Sequence, residues 1–302
     1  MEQWEALLAE AAGGAGVRTD EPMRRHTTFQ TGGPADYYIE PESGADLARL
    51  VRTCREHGIP CTVIGRGSNL LVSDAGIRGA VLRIGEPMAY CDVEGTRVEA
   101  GAGLSLAALA KAACTAGLTG LEFAAGIPGS LGGAIVMNAG AYGGEMKDVV
   151  TAVEVLTPEG EEIWLPAGSL EFGYRTSAVP REGWLVLAAE FSLAEGDPAE
   201  IREKMADLAG RRKSKQPLEY PSAGSTFKRP EGYFAGKLIQ DAGLSGYTVG
   251  GACVSEKHCG FVINRKDATT SDVLAVCRHV TETVQERFGV TLEMEVKLLG
   301  EF

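Results

Sequence analysis

The sequence is poor in basic residues: 29 Lys and Arg stand against 41 Asp and Glu, for a formal net charge of −12. Binding along a phosphate backbone needs a basic face, so this balance argues against a nucleic-acid partner. Histidine is scarce too, with His26, His57, His258 and His279 scattered and no H-E-x-x-H among them. His26 and His258 read as loop or hydrogen-bonding residues rather than metal ligands, and no metal is expected. The seven cysteines (54, 61, 91, 114, 253, 259 and 277) contain no C-x-x-C pair, which favours reduced, mostly buried thiols over a disulfide framework or a zinc site. No apolar run approaches the ~18–20 residues that span a bilayer. The opening "MEQWEALLAEAAGG" is acidic and amphipathic, without a basic region ahead of an apolar one. The expectation is a cytoplasmic protein without membrane insertion. There is no G-x-x-x-x-G-K-[ST], which excludes a P-loop.

What the chain has in excess is glycine, 40 of 302 residues, against a usual share of about 7%. The glycines cluster, which suggests loops where backbone approaches a ligand closely. Hydrophobic periodicity predicts helices over 46–57, 105–116, 198–209, 236–242 and 271–287, the last with Val273, Val276, Val280 and Val284 facing inward. Strands are expected at 61–65, 80–84, 184–193, 247–254 and 260–264, with a hairpin over 149–165. "TLEMEVKLL" closes as an alternating strand. Without a steady βαβ rhythm the class is α+β. A change of character near 210 divides a Gly-rich part from a compact C-terminal domain.

Two Gly-rich segments stand out. "VIGRGSNLLVSDAGIRG" (63–79) follows a strand, but lacks the third glycine and the helix of a dinucleotide-binding fingerprint. It is either a plain turn or a nest of backbone N–H groups, assisted by Ser68 and Asn69, that cradles a pyrophosphate. "GIPGSLGGAIVMNAGAYGGEM" (126–146) interleaves glycines with small residues. That makes a poor core and a good close-fitting surface for a flat or phosphorylated ligand. Cations meanwhile gather in "RRKSK" (211–215) and in "PSAGSTFKRP" (221–230), where Ser225 and Thr226 stand beside Lys228 and Arg229. In an acidic chain, an anionic ligand must be held by such local cations or by backbone amides.

These segments occur in one order with "HTTFQTGGPADYYIEP" (26–41), "FGYRTS" (172–177) and the terminal "LEMEVKLLG". Over residues 20–300 the set resembles the UDP-N-acetylenolpyruvoylglucosamine reductase family of flavoenzymes. The resemblance implies a two-subdomain FAD-binding fold of the vanillyl-alcohol-oxidase (PCMH) type, over 1–90 and 91–209. A C-terminal α+β substrate-binding domain follows over 210–302. It also implies non-covalent FAD, NADPH as hydride donor, UDP-N-acetylglucosamine enolpyruvate as substrate, and a monomer.

Carried over by motif, Gly65, Arg66, Gly67, Ser68, Asn69 and Leu70 form the first FAD loop. Gly129, Ser130, Gly133, Ala139 and Gly140 lie in the second. Arg175, Ser225 and Glu295 match the catalytic positions, and Tyr174, Lys215, Lys228 and Arg229 are expected at the substrate. Two departures matter. Many members carry Asn where this chain has Arg229, so amide contacts there do not transfer. One branch inserts a loop whose tyrosine covers the substrate, whereas residues 181–210 here contain no tyrosine, which places the chain in the shorter branch.

The implied reaction reduces an enolpyruvyl ether, CH2=C(OR)COO⁻, to a lactyl ether. Hydride arrives at the terminal carbon and negative charge spreads into the carboxylate. Arg175 is a suitable fork for that charge. Ser225 is a suitable donor of the proton to the second carbon if nearby cations stabilise its alkoxide. Without the resemblance, Ser225 is equally a turn residue, Arg175 a surface ion-pair partner and Glu295 a solvent-facing strand residue. Two other classes stay open at this level: an FAD-dependent oxidase of the same fold, and a non-catalytic nucleotide-sugar binding protein.

Overall fold

The computed structural model describes residues 2–302, and the chain divides into two compact units. The first comprises residues up to Arg18, Tyr37–Arg66 and Gly79–Arg212; the second comprises Thr19–Asp36, Gly67–Arg78 and Lys213–Phe302. Each has its own apolar core.

The first unit is built on a five-stranded antiparallel sheet. Its order is Glu162–Pro166, Val150–Leu156, Leu185–Ser192, Arg97–Gly101, Cys91–Glu94. The central strand is buried from Val186 to Ala189 and again at Phe191, which suits its run of apolar residues. Its partners are in register at Val155↔Val186 and Phe191↔Val98. The short helix Leu131–Val136 packs on this central strand. Elsewhere in the unit, Cys61–Ile64 pairs in parallel with the later half of Ile77–Arg83. A parallel pair needs a crossover, and the connection from Ile64 supplies it. Helix Gly44–Glu56 precedes that pair, capped by the Ser43 hydroxyl on the Asp46 N–H at 3.1 Å, with Leu47, Leu50 and Cys54 buried.

In the second unit, Thr248–Val249, Ala252–Val254 and Val262–Asn264 form an antiparallel sheet against helix Thr270–Phe288. The four valines at 273, 276, 280 and 284 are fully buried, each worth about 1.5–3 kcal/mol. Thr269 and Asp272 close a capping box at that helix's start, and Gly289, with φ 67°, ends it.

Three expectations change. The expected strand 247–254 is a tight hairpin, broken at Gly250 and Gly251. The helix expected over 198–209 runs from Pro198 to Lys215, so the basic run forms its last turns. Lys and Arg are good helix formers and favour the negative end of the helix dipole. The expected closing strand over 291–299 is regular only at Lys297–Leu299. Met294 makes an isolated bridge to Phe227, whereas Lys297–Leu299 pairs in parallel with Leu70–Val72. The segment changes partners, so no single ladder forms. Among the described residues no helix is long and apolar enough to cross a membrane.

Candidate active site

In the first unit the two Gly-rich segments meet. A Cβ on Gly65, just past the strand Cys61–Ile64, would collide with the Ser130 hydroxyl. Ser130 is itself buried and opens the helix Leu131–Val136, while the Gly129 carbonyl accepts from Leu106 N–H at 3.2 Å. Gly133 differs. It is exposed, and a Cβ there would have only the Ser130 Oγ for a neighbour, at 3.7 Å. Packing does not demand glycine at 133, and the bare backbone there leaves room for close approach from outside. Ala139 closes the segment by accepting from Met146 N–H at 3.0 Å. Arg66 is exposed at the mouth of its loop.

Arg175 lies in the same unit on a tight turn bridged by Gly173 and Thr176, and takes the left-handed backbone at φ 55°. Such a conformation costs an arginine about 1–2 kcal/mol and needs support from its surroundings. Support is present on three sides. The Ser177 hydroxyl donates to the Val136 carbonyl at 2.9 Å, and Arg175 Nη2 donates to the Gly140 carbonyl at 3.1 Å. Asn138 Nδ2 donates to the Gly173 carbonyl at 3.0 Å. Asn138 is fully buried with φ 42°; its amide also donates to Glu145 at 2.9 Å and accepts from Lys147 N–H at 3.0 Å. The Lys147 ammonium holds the Glu145 carboxyl below its ordinary range, with help from the Asn138 amide and the charge of Arg175. Tyr174 is exposed, its ring 5.3 Å from the Arg175 guanidinium.

Helix Pro198–Lys215 is tied to the approach of the second Gly-rich segment. Lys204 pairs with the buried Glu122 at 3.3 Å, and Arg212 donates to the Gly126 carbonyl. Arg211 pairs with Asp207 at 2.7 Å. Within the basic run, Arg211 thus secures its own helix and Arg212 ties that helix to the Gly-rich segment.

The second unit gathers the rest of the first loop with the serine and glutamate motifs. Gly67, at φ 64°, sits so close to the His26 carbonyl that a Cβ would clash, and its carbonyl accepts from Thr28 N–H at 3.2 Å. The hydroxyls of Thr28 and Thr31 are buried without a hydrogen-bond partner among the described residues. Such groups are costly unless something accepts from them. Beside half-buried Ser68, Asn69 donates to the Glu295 carbonyl at 3.1 Å and accepts from Lys297 N–H at 2.9 Å, and the strand from Leu70 follows.

Ser225 is exposed at the start of a segment locked by Thr226, which is fully buried. Thr226 N–H donates to the Gly260 carbonyl at 2.9 Å, and its hydroxyl accepts from Val262 N–H at 2.9 Å. Its carbonyl accepts from Glu295 N–H at 2.9 Å, and Lys228 N–H donates to Glu293 at 2.8 Å. The backbones that carry Ser225 and Glu295 are thus held side by side. Glu295 is half-buried, where alternation alone left it facing solvent.

Of the cations expected at the substrate, Lys228 forms an ion pair with Glu293. Arg229 lies over the Phe234 ring at 4.0 Å and donates to the Tyr233 carbonyl at 3.3 Å. Lys215 is exposed at its helix end.

Sequence reasoning passed over Asn138 and noted Thr226 only as a neighbour of Ser225. Each satisfies backbone groups distant in sequence, which no spacing rule reveals. The signal available was an asparagine, tolerant of left-handed backbone, within a Gly-rich loop.

Residues 35–166 match an FAD binding domain, and residues 216–299 match the C-terminal domain of UDP-N-acetylenolpyruvoylglucosamine reductase. The chain is 54% identical over 299 residues to the UDP-N-acetylenolpyruvoylglucosamine reductase of Agathobacter rectalis, covering 95% of each chain. To that of Exiguobacterium sibiricum it is 51% identical over 300 residues, covering 99% of this chain and 98% of the other. The crystal structure of the Thermus caldophilus reductase superposes with a TM-score of 0.81 at 37% identity, covering 95% of this chain and 99% of that one. With that extent and identity, the fold is the FAD-binding architecture followed by the reductase C-terminal domain, and the chain belongs to the UDP-N-acetylenolpyruvoylglucosamine reductase family.

Proposed function

We propose that this protein reduces UDP-N-acetylglucosamine enolpyruvate to UDP-N-acetylmuramate with FAD and NADPH, in the cytoplasm and as a monomer, for peptidoglycan precursor synthesis. The observation that carries this reading is the relationship to named reductases along nearly the whole chain. An oxidase or a purely binding role has no comparable support.

FAD fits the residues present. Within the first unit, the exposed bare backbone at Gly133 admits close approach of a flat ligand. Gly65, Arg66, Gly67, Ser68, Asn69 and Leu70, with Gly129, Ser130, Gly133, Ala139 and Gly140, are the groups assigned to hold it. When bound, FAD accepts hydride from NADPH and delivers it to the substrate. The balance is enolpyruvyl ether + NADPH + H⁺ giving lactyl ether + NADP⁺.

Arg175 is assigned to the substrate carboxylate, where its planar fork opposes the negative charge that hydride addition sends there. Ser225 is assigned to give its hydroxyl proton to the ether-bearing carbon. Glu295, whose N–H is tied to Thr226, orients or polarises that donor. Tyr174, Lys215, Lys228 and Arg229 are assigned to the substrate's nucleotide-sugar portion. Lys228 must share its charge with Glu293.

The test separates the two half-reactions by stopped-flow absorbance in Ser225→Ala. Reduction of the flavin by NADPH should proceed at close to the normal rate. Reoxidation by the enolpyruvyl substrate should slow by at least ~10²–10⁴-fold, the usual worth of a general acid. Ser225→Cys should recover part of it. Equal slowing of both halves would make Ser225 structural.

A further inference from the structure

We infer that Asn138 is the positioning residue that sets the catalytic geometry of Arg175, an inference that rests on the proposed role of Arg175 at the substrate carboxylate. Arg175 stands at the corner of a two-residue turn between Gly173 and Thr176, in a left-handed backbone conformation that carries a steric cost for an arginine. A fork that must meet a carboxylate with both prongs tolerates little error in direction. Something must therefore fix the turn before the fork is aimed.

Asn138 meets that requirement from beneath. Its side chain is fully buried, so its amide is not a solvent-exchanging surface group. One N–H is spent on the Gly173 carbonyl at 3.0 Å, two residues before Arg175. The other is spent on Glu145 at 2.9 Å, and the amide oxygen takes the Lys147 N–H at 3.0 Å. The same amide thus ties the turn to both flanks of the loop whose Gly140 carbonyl receives Arg175 Nη2. The arrangement is closed: the loop holds the turn through Asn138, and the turn returns a bond to the loop through Arg175. Asparagine suits the place because it adopts φ 42° more readily than other side chains and carries donors and an acceptor on one planar group.

Asn138→Asp keeps the size and the acceptor for Lys147 N–H but removes both donors. Asn138→Gly keeps the backbone conformation and removes the whole amide. Both are to be purified with FAD and compared with Arg175→Lys and with each double variant, following the two half-reactions separately. Flavin content and reduction by NADPH are expected to stay within about twofold of the parent. Reoxidation by the enolpyruvyl substrate is expected to fall at least tenfold in Asn138→Asp and in Asn138→Gly. In the Arg175→Lys background the same changes should cost less than twofold, because residues that act as one unit do not add.

A tenfold loss repeated in the Arg175→Lys background would overturn the inference, as would unchanged reoxidation in both Asn138 variants. So would equal slowing of flavin reduction, which marks a general structural defect. Unimpaired reoxidation in Arg175→Lys alone would instead remove the role assigned to Arg175, and this inference with it.

Discussion

A residue's neighbours decide whether its type is a packing need or a functional one. Gly65 is confined by Ser130, whereas Gly133 is exposed with room for a side chain. On helix propensity alone, Gly133→Ala should stabilise the flavin-free protein by up to about 1 kcal/mol. The same substitution should weaken FAD, and Gly133→Val should abolish or nearly abolish its binding. Thermal melts of the flavin-free protein and the flavin-to-protein absorbance ratio check both halves. Full flavin stoichiometry in Gly133→Val would remove position 133 from the cofactor surface. The dense glycine of 126–146 was plain in the sequence, but which glycines face outward was not, because that depends on Ser130 and Ala102 across the fold. Arg175, Ser225 and Glu295 are candidates only through motif resemblance; their spacing alone also fits ordinary surface residues.

Among the elements, those with strong periodicity read most clearly. The valine stripe of Thr270–Phe288 and the apolar strand Leu185–Ser192 were visible because one face, or both, must be buried. The terminal segment misled because alternation signals a strand without naming its partner. Here one half joins the serine segment and the other Leu70–Val72. The serine segment depends in turn on Thr226, whose hydroxyl takes the Val262 N–H. Thr226→Val keeps the shape and strands that N–H, at a cost of about 1–3 kcal/mol. Urea unfolding should show that loss, and reoxidation of reduced enzyme by substrate should slow, since the Ser225 backbone loses a support. A variant with unchanged unfolding midpoint would show that the bond contributes nothing net.

For the whole molecule, buried and hydrogen-bonded carboxylates set the response to acid. Burial alone would raise the carboxyl of Glu122, but the Thr119 hydroxyl at 2.5 Å, the Gly120 N–H at 3.1 Å and the Lys204 charge bring it below its ordinary 4.5. Asp74 is exposed, and against a partial loss of hydration it is brought below 3.8 by the Ser271 hydroxyl and by the N–H groups of Thr270 and Ser271. A depressed folded-state pKa means that the unfolded chain takes up protons first as pH falls. This stability is complete above the ordinary carboxyl range and is lost as pH drops through the lower, folded values. Glu154, raised chiefly by burial, works in the opposite sense. Urea midpoints from pH 7 to about 3 should therefore fall steeply in the parent and less steeply in Glu122→Gln, which starts from a lower value at neutral pH. Identical slopes would show that Glu122 is not among the groups responsible.

The interleaving of the two units has a consequence for biosynthesis. The first unit has all its sequence once Arg212 has been made, but Leu70–Val72 must wait for strand Lys297–Leu299, and Ser73 for the Glu301 carbonyl made 228 residues later. Phe29 and Leu71, fully covered in the finished second unit, spend that interval on the nascent chain without their core. Apolar surface left uncovered in this way favours aggregation, so the half-made chain, with its early apolar segments waiting on late ones, carries a risk that the finished fold does not.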